Sequence, residues 1–511
     1  MEMVSVTTDS FRVRVARSSF LPFCEREFRM TSPNPDFINF GGLLIPEQDS
    51  QAHFAFTGTT GSGKTLLMRL LQQSTLCHVG QGLGYRAIVY DAKQDAMPLL
   101  SAYCDCSRLF TMNPFDVRGV AWDIGADVTE PRVALEMAFT LIPEASESQP
   151  YFANAARHLT YGVMLSFMLR GLDWTFADVL RALSSANRCR RVLEQHPHTT
   201  GIVEHYFSDE RLLNDIFSTI ATKMLLYESI AGCWDAANER ISLKTWSTEE
   251  MILILGNTEI SRFAIDNINR CIFKRASDLI LSKREGTTER SWFYIDEVSE
   301  AGRLPISSLL KKGRSKGGRV AIAYQSISGL RDPKLFGQHQ TDDILGQIGN
   351  RFFALIECPE TAEYAARVIG DTEIQQISKS ETSSRQGSST TRNTAPVVRR
   401  AVLPSEFMSI SPCDFSNGLT GLFTTRSGNP AWDWISPADL FDTLIPPAAD
   451  VEDFVLRNPN FQLVEPWTPA EENEFAPRLQ QSKHQQKSPD HDIDPSNSRT
   501  EKRLDVDDFS L

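Results

Sequence analysis

Short apolar runs recur in the first and last thirds of the chain, and most of them end at a polar or acidic residue. Runs of this kind, separated by stretches with helical spacing, predict βαβ units and a parallel sheet that is buried on both faces. The predicted strands are residues 53–57, 86–91, 108–111, 251–255, 291–297, 319–325 and 351–357. We therefore expect an α/β fold with a mostly parallel sheet.

The middle of the chain has a different pattern. Between residues 130 and 246 the apolar residues recur at helical spacing, and no strand pattern interrupts them. The predicted helices are residues 131–142, 151–169, 175–183 and 209–231, and the pattern returns at 266–284. Thr175 and Asp178 have the spacing of a capping box. The pattern predicts an all-α domain inserted into the α/β domain.

The first predicted strand runs directly into a glycine-rich segment that matches G-x-x-x-x-G-K-[ST] in full. Glycines let backbone N–H groups approach a phosphate chain, and the following helix presents its positive dipole end. Lys64 supplies charge for the β- and γ-phosphates, and the Thr65 hydroxyl can ligate Mg²⁺. We predict that ATP and Mg²⁺ bind here; the alternative is a glycine-rich turn without a ligand. The predicted nucleotide-binding residues are Gly58, Thr59, Thr60, Gly61, Ser62, Gly63, Lys64 and Thr65.

Phosphate-anhydride hydrolysis also needs a group that orders the metal and a base that acts on water. Asp296 and Glu297 end one predicted strand. Asp296 is expected to hold Mg²⁺ through water, and Glu297 to polarise the attacking water. Gln325 ends the next strand, where it would face the γ-phosphate. A strand-end cap is the alternative interpretation of these residues.

A basic run separates those two strands. Its five cations are Lys311, Lys312, Arg314, Lys316 and Arg319. Such a run is often only a solvated face. Its place between two catalytic strands also favours contact with a nucleotide phosphate in a neighbouring subunit or with a DNA backbone. The predicted DNA contacts are Lys311, Lys312, Lys316 and Arg319.

Composition narrows the class of protein. The formal charge is −13, of which residues 450–511, with 14 acids and 7 Lys or Arg, carry −7. A local basic groove is compatible with that balance.

The cysteines and the apolar runs indicate a cellular location. Nine scattered cysteines indicate reduced thiols rather than disulfides, and Cys104 and Cys106 lack partners for a zinc site. No apolar run reaches the roughly 18 residues that span a bilayer and no secretory signal is evident, so we expect a cytoplasmic protein.

The changes of pattern predict four regions. The division is a lead-in at 1–50, a RecA-like nucleotide-binding domain at 51–129 and 247–446, an all-α domain at 130–246, and an acidic, largely disordered tail at 447–511. Within the second segment of the nucleotide-binding domain, the Ser/Thr-rich stretch 378–394 is expected to be a low-complexity loop.

The order of these motifs resembles that of the type IV coupling proteins, the TraD/TraG-type ATPases of conjugation and type IV secretion. The resemblance covers roughly residues 50–430. It rests on the phosphate loop, Tyr90-Asp91-Ala92-Lys93, Asn113-Pro114-Phe115, Tyr151-Phe152-Ala153-Asn154-Ala155-Ala156, Tyr294-Ile295-Asp296-Glu297, Gly313-Arg314-Ser315-Lys316-Gly317, Tyr324-Gln325-Ser326 and Val402-Leu403-Pro404.

The resemblance implies a RecA-like motor that forms a ring of six, hydrolyses ATP between subunits, and moves single-stranded DNA or protein. Relaxase and channel components are the implied partners, and Arg314 is the implied arginine finger. Family members commonly begin with transmembrane helices, whereas only about 50 polar residues precede the phosphate loop here. We therefore expect a soluble form that reaches the inner face of the membrane through partners.

Two other functions fit the same residues. A soluble hexameric DNA translocase of the FtsK/HerA type would use the same nucleotide site without a secretion partner. An adaptor that recruits cargo would use the nucleotide only to set its conformation.

Overall fold

The computed structural model describes residues 34–143, 150–257, 261–384, 387–458, 460 and 463–478. The predicted strand pattern near residue 11 and the last 33 residues of the predicted tail lie outside these ranges. The strands are β1 Phe37–Phe40, β2 Leu43–Pro46, β3 Phe54–Thr57, β4 Tyr85–Asp91, β5 Leu109–Thr111, β6 Ala121–Trp122, β7 Arg240–Ile241, β8 Ile252–Gly256, β9 Arg290–Ile295, β10 Gly318–Tyr324, β11 Asn350–Phe353, β12 Asp371–Ser384, β13 Gly387–Arg400, β14 Leu419–Thr424 and β15 Ala431–Ile435.

A nine-stranded sheet forms the centre of the molecule, in the order β15-β14-β11-β3-β10-β9-β4-β8-β5. Its strands from β11 to β5 are parallel, and β14 and β15 add to the β11 edge in antiparallel orientation. The carboxyl ends of the parallel strands therefore meet at one edge, which is where open α/β sheets bind ligands. The α/β expectation is confirmed.

Both faces of the sheet are buried, as the continuous apolar runs predict. Phe54 and Phe56 of β3 pack with helix Lys64–Leu76 and with the β1–β2 hairpin on one face. Ala55 points into the opposite core, which continues into the helical middle of the chain. Trp246 joins this core to the sheet, since its indole Nε1 donates to the Ala87 carbonyl at 3.0 Å.

The helices follow the strands in the expected alternation, and a run of helices from α3 to α10 lies between β6 and β7. They are α1 Lys64–Leu76, α2 Ala96–Ser101, α3 Ile124–Asp127, α4 Pro131–Leu141, α5 Pro150–Leu169, α6 Phe176–Leu183, α7 Ala186–Leu193, α8 Pro197–Tyr206, α9 Glu210–Met224, α10 Glu228–Asp235, α11 Leu243–Thr248, α12 Arg262–Leu281, α13 Ser307–Lys312, α14 Ile327–Leu330, α15 Gly337–Gly346, α16 Pro359–Ile369, α17 Pro404–Met408 and α18 Pro469–Phe475. Among the residues described, no helix is both long and apolar enough to cross a membrane.

The capping box predicted for the helical stretch is present, but not all of the helices there were predicted. Thr175 and Asp178 form the predicted capping box at the start of α6. Helices α7 and α8 have no counterpart among the predicted helices. The eight residues of α7 bury only Cys189, Val192 and Leu193, so its apolar positions cover too few turns to stand out in a sequence window of about 11 to 18 residues.

The described parts of the Ser/Thr-rich stretch, residues 378–384 and 387–394, lie in two paired strands rather than in a loop, which corrects the expectation. β12 and β13 pair in register from Asp371↔Arg400 to Ser384↔Gly387. The described side chains along it are mostly exposed. A ribbon with solvent on both faces has no apolar alternation, and so its sequence gives no strand pattern.

The part of the predicted tail that the structure describes also differs from expectation, because it packs on the domains instead of leaving them. Arg457 is buried and donates to the carbonyls of Pro114 at 3.1 Å and Gly119 at 3.2 Å. Farther along, Phe475 is buried and stacks on Trp467, with ring centroids 5.2 Å apart. A few buried side chains are enough to hold this segment against the rest of the protein. The acidic, polar composition of residues 447–511 as a whole does not reveal them.

Candidate nucleotide-binding site

The phosphate loop joins β3 to α1 at the carboxyl edge of the sheet. Gly61 and Gly63 have φ values of +75° and +92°, a region that side chains rarely adopt. A Cβ on Gly63 would also lie 2.3 Å from Leu419 Cδ1, whereas one on Gly61 would meet nothing within 4 Å. The backbone shape of the loop thus requires glycine at positions 61 and 63, and close packing against Leu419 requires it at position 63 as well. Open space remains beside Gly61.

Lys64 is the first residue of α1, and its side chain folds back over the loop. Its Nζ donates to the carbonyls of Gly58 at 2.7 Å and Thr59 at 2.9 Å. Burial lowers the pKa of Lys64, and the charges of Glu297 and Asp296 oppose that shift. The lysine therefore lies within electrostatic range of the two predicted carboxylates.

Thr65 contacts Asp296 at the end of β9. The Thr65 hydroxyl lies 2.9 Å and 3.1 Å from the two carboxylate oxygens of Asp296. Lys93 approaches the same pair, with its Nζ 3.3 Å from the Thr65 hydroxyl and 3.7 Å from Asp296. A hydroxyl and a carboxylate are the hard oxygen donors that Mg²⁺ takes alongside phosphate oxygens. These residues fit a magnesium ion bound with a nucleotide.

Glu297 is held on both sides of its carboxylate. Gln325 Nε2, just after β10, donates to Glu297 Oε2 at 3.3 Å. The Ser299 hydroxyl donates to the other oxygen at 2.6 Å. Because β9 and β10 are neighbours, the fold brings together five predicted residues: Lys64, Thr65, Asp296, Glu297 and Gln325.

Three features of the site involve residues to which the sequence motifs assign no function. Lys93 follows β4, which ends at Asp91. Asp91 itself starts α2 by accepting from the N–H groups of Asp95 and Ala96, and burial raises its pKa to about 6. Lys93 could have been found from the sequence, because it lies two residues after Asp91, the acid at the end of a predicted strand.

The other two features lie on the opposite flank of β3. Thr59 donates its hydroxyl proton to Glu357 Oε2 at 2.9 Å, and Glu357 follows β11. The Cys413 N–H donates to the Gly61 carbonyl at 3.0 Å, which seats the segment before β14 on the phosphate loop. Glu357 ends a predicted strand and could have been found; the contact of Cys413 depends on chain folding alone.

Arg314 lies apart from these residues. It is exposed in a 3₁₀ turn just before β10, whereas Gln325 follows the other end of that strand. β10 has seven residues, which at about 3.3 Å per residue separates the two ends by about 20 Å. Arg314 therefore cannot reach the phosphate loop of its own chain.

The other cations of the basic run have different environments. Lys312 is exposed, Lys311 forms an ion pair with Asp343, and Lys316 Nζ donates to the Lys283 carbonyl at 2.8 Å. Arg319 is 3 % exposed and donates to Glu47 at 2.9 Å and Ser50 at 2.8 Å. Because Arg319 is buried, the prediction that it contacts DNA is wrong. Its guanidinium instead joins β10 to the segment after β2.

The sheet order, the phosphate loop and the paired acids define a P-loop nucleotide-binding protein of the RecA-like class. The family profile described as the type IV secretion-system coupling protein DNA-binding domain matches residues 37–431. The chain belongs to that family, as its motif order predicts.

Curated relatives and solved structures agree with that assignment. Coupling protein TraD of Escherichia coli K12 is 22 % identical over 346 residues, which cover 66 % of this chain and 46 % of TraD. A probable conjugal transfer protein TraG of Sinorhizobium fredii is 30 % identical over 153 residues, covering 29 % of this chain and 23 % of TraG. The matches thus span less than half the length of these relatives.

Among solved structures, the bacterial conjugative coupling protein TrwBdeltaN70 in its unbound form has a TM-score of 0.63 at 19 % identity. That alignment covers 83 % of this chain and 92 % of the other. TrwB in complex with ADP and Mg²⁺ has a TM-score of 0.61 at 18 % identity and covers 84 % and 94 % of the two chains. At such identities the likeness shows a shared fold.

Proposed function

We propose that this protein is an ATP-hydrolysing coupling protein that binds DNA with its attached relaxase, or a protein substrate, and delivers it to a type IV secretion or conjugation channel. The observation that carries the proposal is the meeting of Lys64 and Thr65 with Asp296 and Glu297 in a chain of the coupling-protein family. TrwB, which shares the fold, has been solved with ADP and Mg²⁺ and with a non-hydrolysable ATP analogue.

Each residue of the site has a defined task in this proposal. Thr65 directly, and Asp296 through water, would hold Mg²⁺, which would neutralise charge on the phosphates. Lys64 leaves the carbonyls of the loop and binds phosphate oxygens. Glu297 accepts a proton from the attacking water, and its hydrogen bonds with Gln325 and Ser299 orient its carboxylate for that step.

The position of Arg314 supports a site shared between subunits. Its side chain is exposed, and the length of β10 separates the backbone end next to Arg314 by about 20 Å from the end next to Gln325, so Arg314 can complete a nucleotide site only in another subunit. A closed ring, which we propose to be a hexamer, presents the Arg314 edge of each subunit to the site of the next. An arginine finger supplied in this way stabilises charge in the transition state.

Single-stranded DNA is the proposed nucleic acid partner. After the removal of Arg319, the candidate phosphate contacts are Lys311, Lys312 and Lys316, which lie near Arg314. Neutralising them should reduce the salt dependence of DNA binding, because fewer counterions are released. An unchanged slope would remove these lysines from the DNA path. Docking at the inner face of the membrane through partners belongs to the same proposal.

The deciding experiment measures ATPase rate against protein concentration, with and without single-stranded DNA. We expect a cooperative rise that DNA stimulates, because the site is complete only in the ring. Pull-down of relaxase or channel components should accompany it. A rate per subunit that is independent of concentration would contradict the shared site. Translocation on duplex DNA without any secretion partner would favour the FtsK/HerA type of motor instead.

A further inference from the structure

An aromatic pair stands beside the phosphate loop and has no part in the chemistry described so far. Phe415 is 79 % exposed, and its ring centroid lies 4.2 Å from that of Phe441 with the planes tilted by 32°. Phe415 belongs to the segment between α17 and β14, and Phe441 to the π-helical turn Ala438–Leu444 after β15. A single exposed phenyl ring is ordinary on a protein surface. Its position and its rigid support distinguish this one.

The segment that carries Phe415 is attached to the phosphate loop itself. Two residues before it, the Cys413 N–H donates to the Gly61 carbonyl at 3.0 Å. Just after it, Leu419 packs so closely that Gly63 must be glycine. Consecutive Cα atoms are about 3.8 Å apart, so Phe415 stands within about 8 Å of chain from a residue that touches the loop.

The turn around Phe415 is held by its own hydrogen bonds. The Asp414 carboxylate accepts from the Ser416 N–H at 2.8 Å and the Asn417 N–H at 2.7 Å. The Trp434 indole of β15 donates to the Asn417 carbonyl at 2.8 Å. The phenyl ring is thus presented by a turn that is already shaped, which reduces the entropy lost when a ligand binds.

The order of the strands determines which end of a nucleotide would meet this pair. Asp296, Glu297 and Gln325 follow β9 and β10, on one flank of β3. In the proposed function they act on the terminal phosphate. Phe415 lies next to β14, beyond β11 on the other flank. A nucleotide whose γ-phosphate faces Glu297 therefore extends its nucleoside toward the flank that carries Phe415.

We propose that Phe415 and Phe441 form the platform on which the purine base of the bound nucleotide stacks. The proposal rests on the proposed ATP site, and it adds the recognition of the base. Aromatic stacking is tolerant of base identity, because every base has a π-face. The platform therefore accepts ATP and GTP with similar gains in affinity.

The test compares ATP with inorganic tripolyphosphate, which has the phosphates but no base. Both are titrated by calorimetry in Mg²⁺ against the full chain and its variants. Phe415→Ala should weaken ATP binding about five- to hundredfold, the range expected for loss of one stacked base, and leave tripolyphosphate binding unchanged. Phe415→Trp should retain ATP affinity. Phe139→Ala, which truncates an exposed phenyl ring on the helical domain, is the matched control.

Each other result has a defined meaning. Unchanged ATP affinity in Phe415→Ala, with both ligands weakened in Lys64→Ala, would overturn the platform and leave the ATP site standing. Equal weakening of ATP and tripolyphosphate would show that the turn only supports the phosphate loop, and would also overturn it. A Phe415→Ala protein that binds ATP normally but sediments as a smaller assembly would assign the ring to a subunit contact. Wild-type ATP binding by Lys64→Ala would overturn the proposed function itself.

Discussion

The Thr65 hydroxyl and the Asp296 carboxylate, 231 positions apart in the chain, lie 2.9 Å from each other where α1 begins and β9 ends. The contact exists because β9 and β3 flank β10 in one parallel sheet. It joins parts of the sheet that precede and follow the helices α3 to α10 in the chain. It also places the two candidate ligands of Mg²⁺ side by side.

Asp296→Asn should weaken the Mg²⁺ dependence of nucleotide binding by about 10- to 100-fold, the usual effect of losing a group that supports a metal site. Thr65→Val should act in the same direction, and Thr65→Ser, which keeps the hydroxyl, should not. Titrations of nucleotide with and without Mg²⁺ measure the effect. Variants whose metal dependence equals that of the wild type would remove this pair from the metal site.

Glu297→Gln should bind ATP with nearly unchanged affinity and lower kcat by roughly 10²- to 10⁴-fold, because the amide cannot accept the proton of the attacking water. Glu300→Gln is the matched control, since Glu300 lies three residues on and pairs with Arg262 outside the site. Single-turnover hydrolysis gives the measurement. Normal turnover in Glu297→Gln would transfer the role of base to another group.

Arg314→Ala should leave nucleotide binding by the monomer intact and reduce turnover in the assembly about a thousandfold, the low end of the usual worth of an arginine finger. Rings mixed from Arg314→Ala and Lys64→Ala subunits should regain part of the rate. In such rings some intact phosphate loops face an intact Arg314. Arg132→Ala, which removes an exposed arginine on α4, is the control. Mixed rings as inactive as either parent would exclude a role across the interface.

His53 should make the fold sensitive to acid. Its Nδ1 accepts from the Val320 N–H at 3.2 Å, so its Nε2 carries the proton that is donated to the Leu310 carbonyl at 3.0 Å. Burial, together with the charge of Arg319 and against the hydrogen bond to Leu310, lowers the pKa of His53 to about 4. Between pH 6.5 and 4 the unfolded chain binds a proton that the folded chain does not, so stability falls as the pH falls.

The loss attributable to His53 between pH 7 and pH 5 is about 2 kcal/mol. Denaturant unfolding of the wild type and of His53→Gln at both pH values measures it. The variant should be less stable at pH 7 and lose less on acidification. Parallel losses in the two proteins would mean that other groups carry the acid sensitivity.

Much of the fold could be predicted because its signals are local. The strands around the site are short continuous apolar runs, and the observed bounds of β4, β9 and β10 differ from the predicted ones by one or two residues. The β12–β13 hairpin and the contacts of Trp467 and Phe475 could not be predicted. A ribbon with two solvent faces shows no alternation, and isolated anchors in a polar segment show no period.

The sequence by itself determined the phosphate loop, the acids at the end of β9 and the order of motifs that indicates the coupling-protein family. These features depend only on residue type and on spacing along the chain, and so they can be recognised from the sequence. The tertiary structure alone decided that the Phe415 turn packs on the phosphate loop, that Arg314 lies at the far end of β10, and that Arg319 is buried. Such relationships come from strand order and packing, which bring together residues hundreds of positions apart, and no local pattern encodes them.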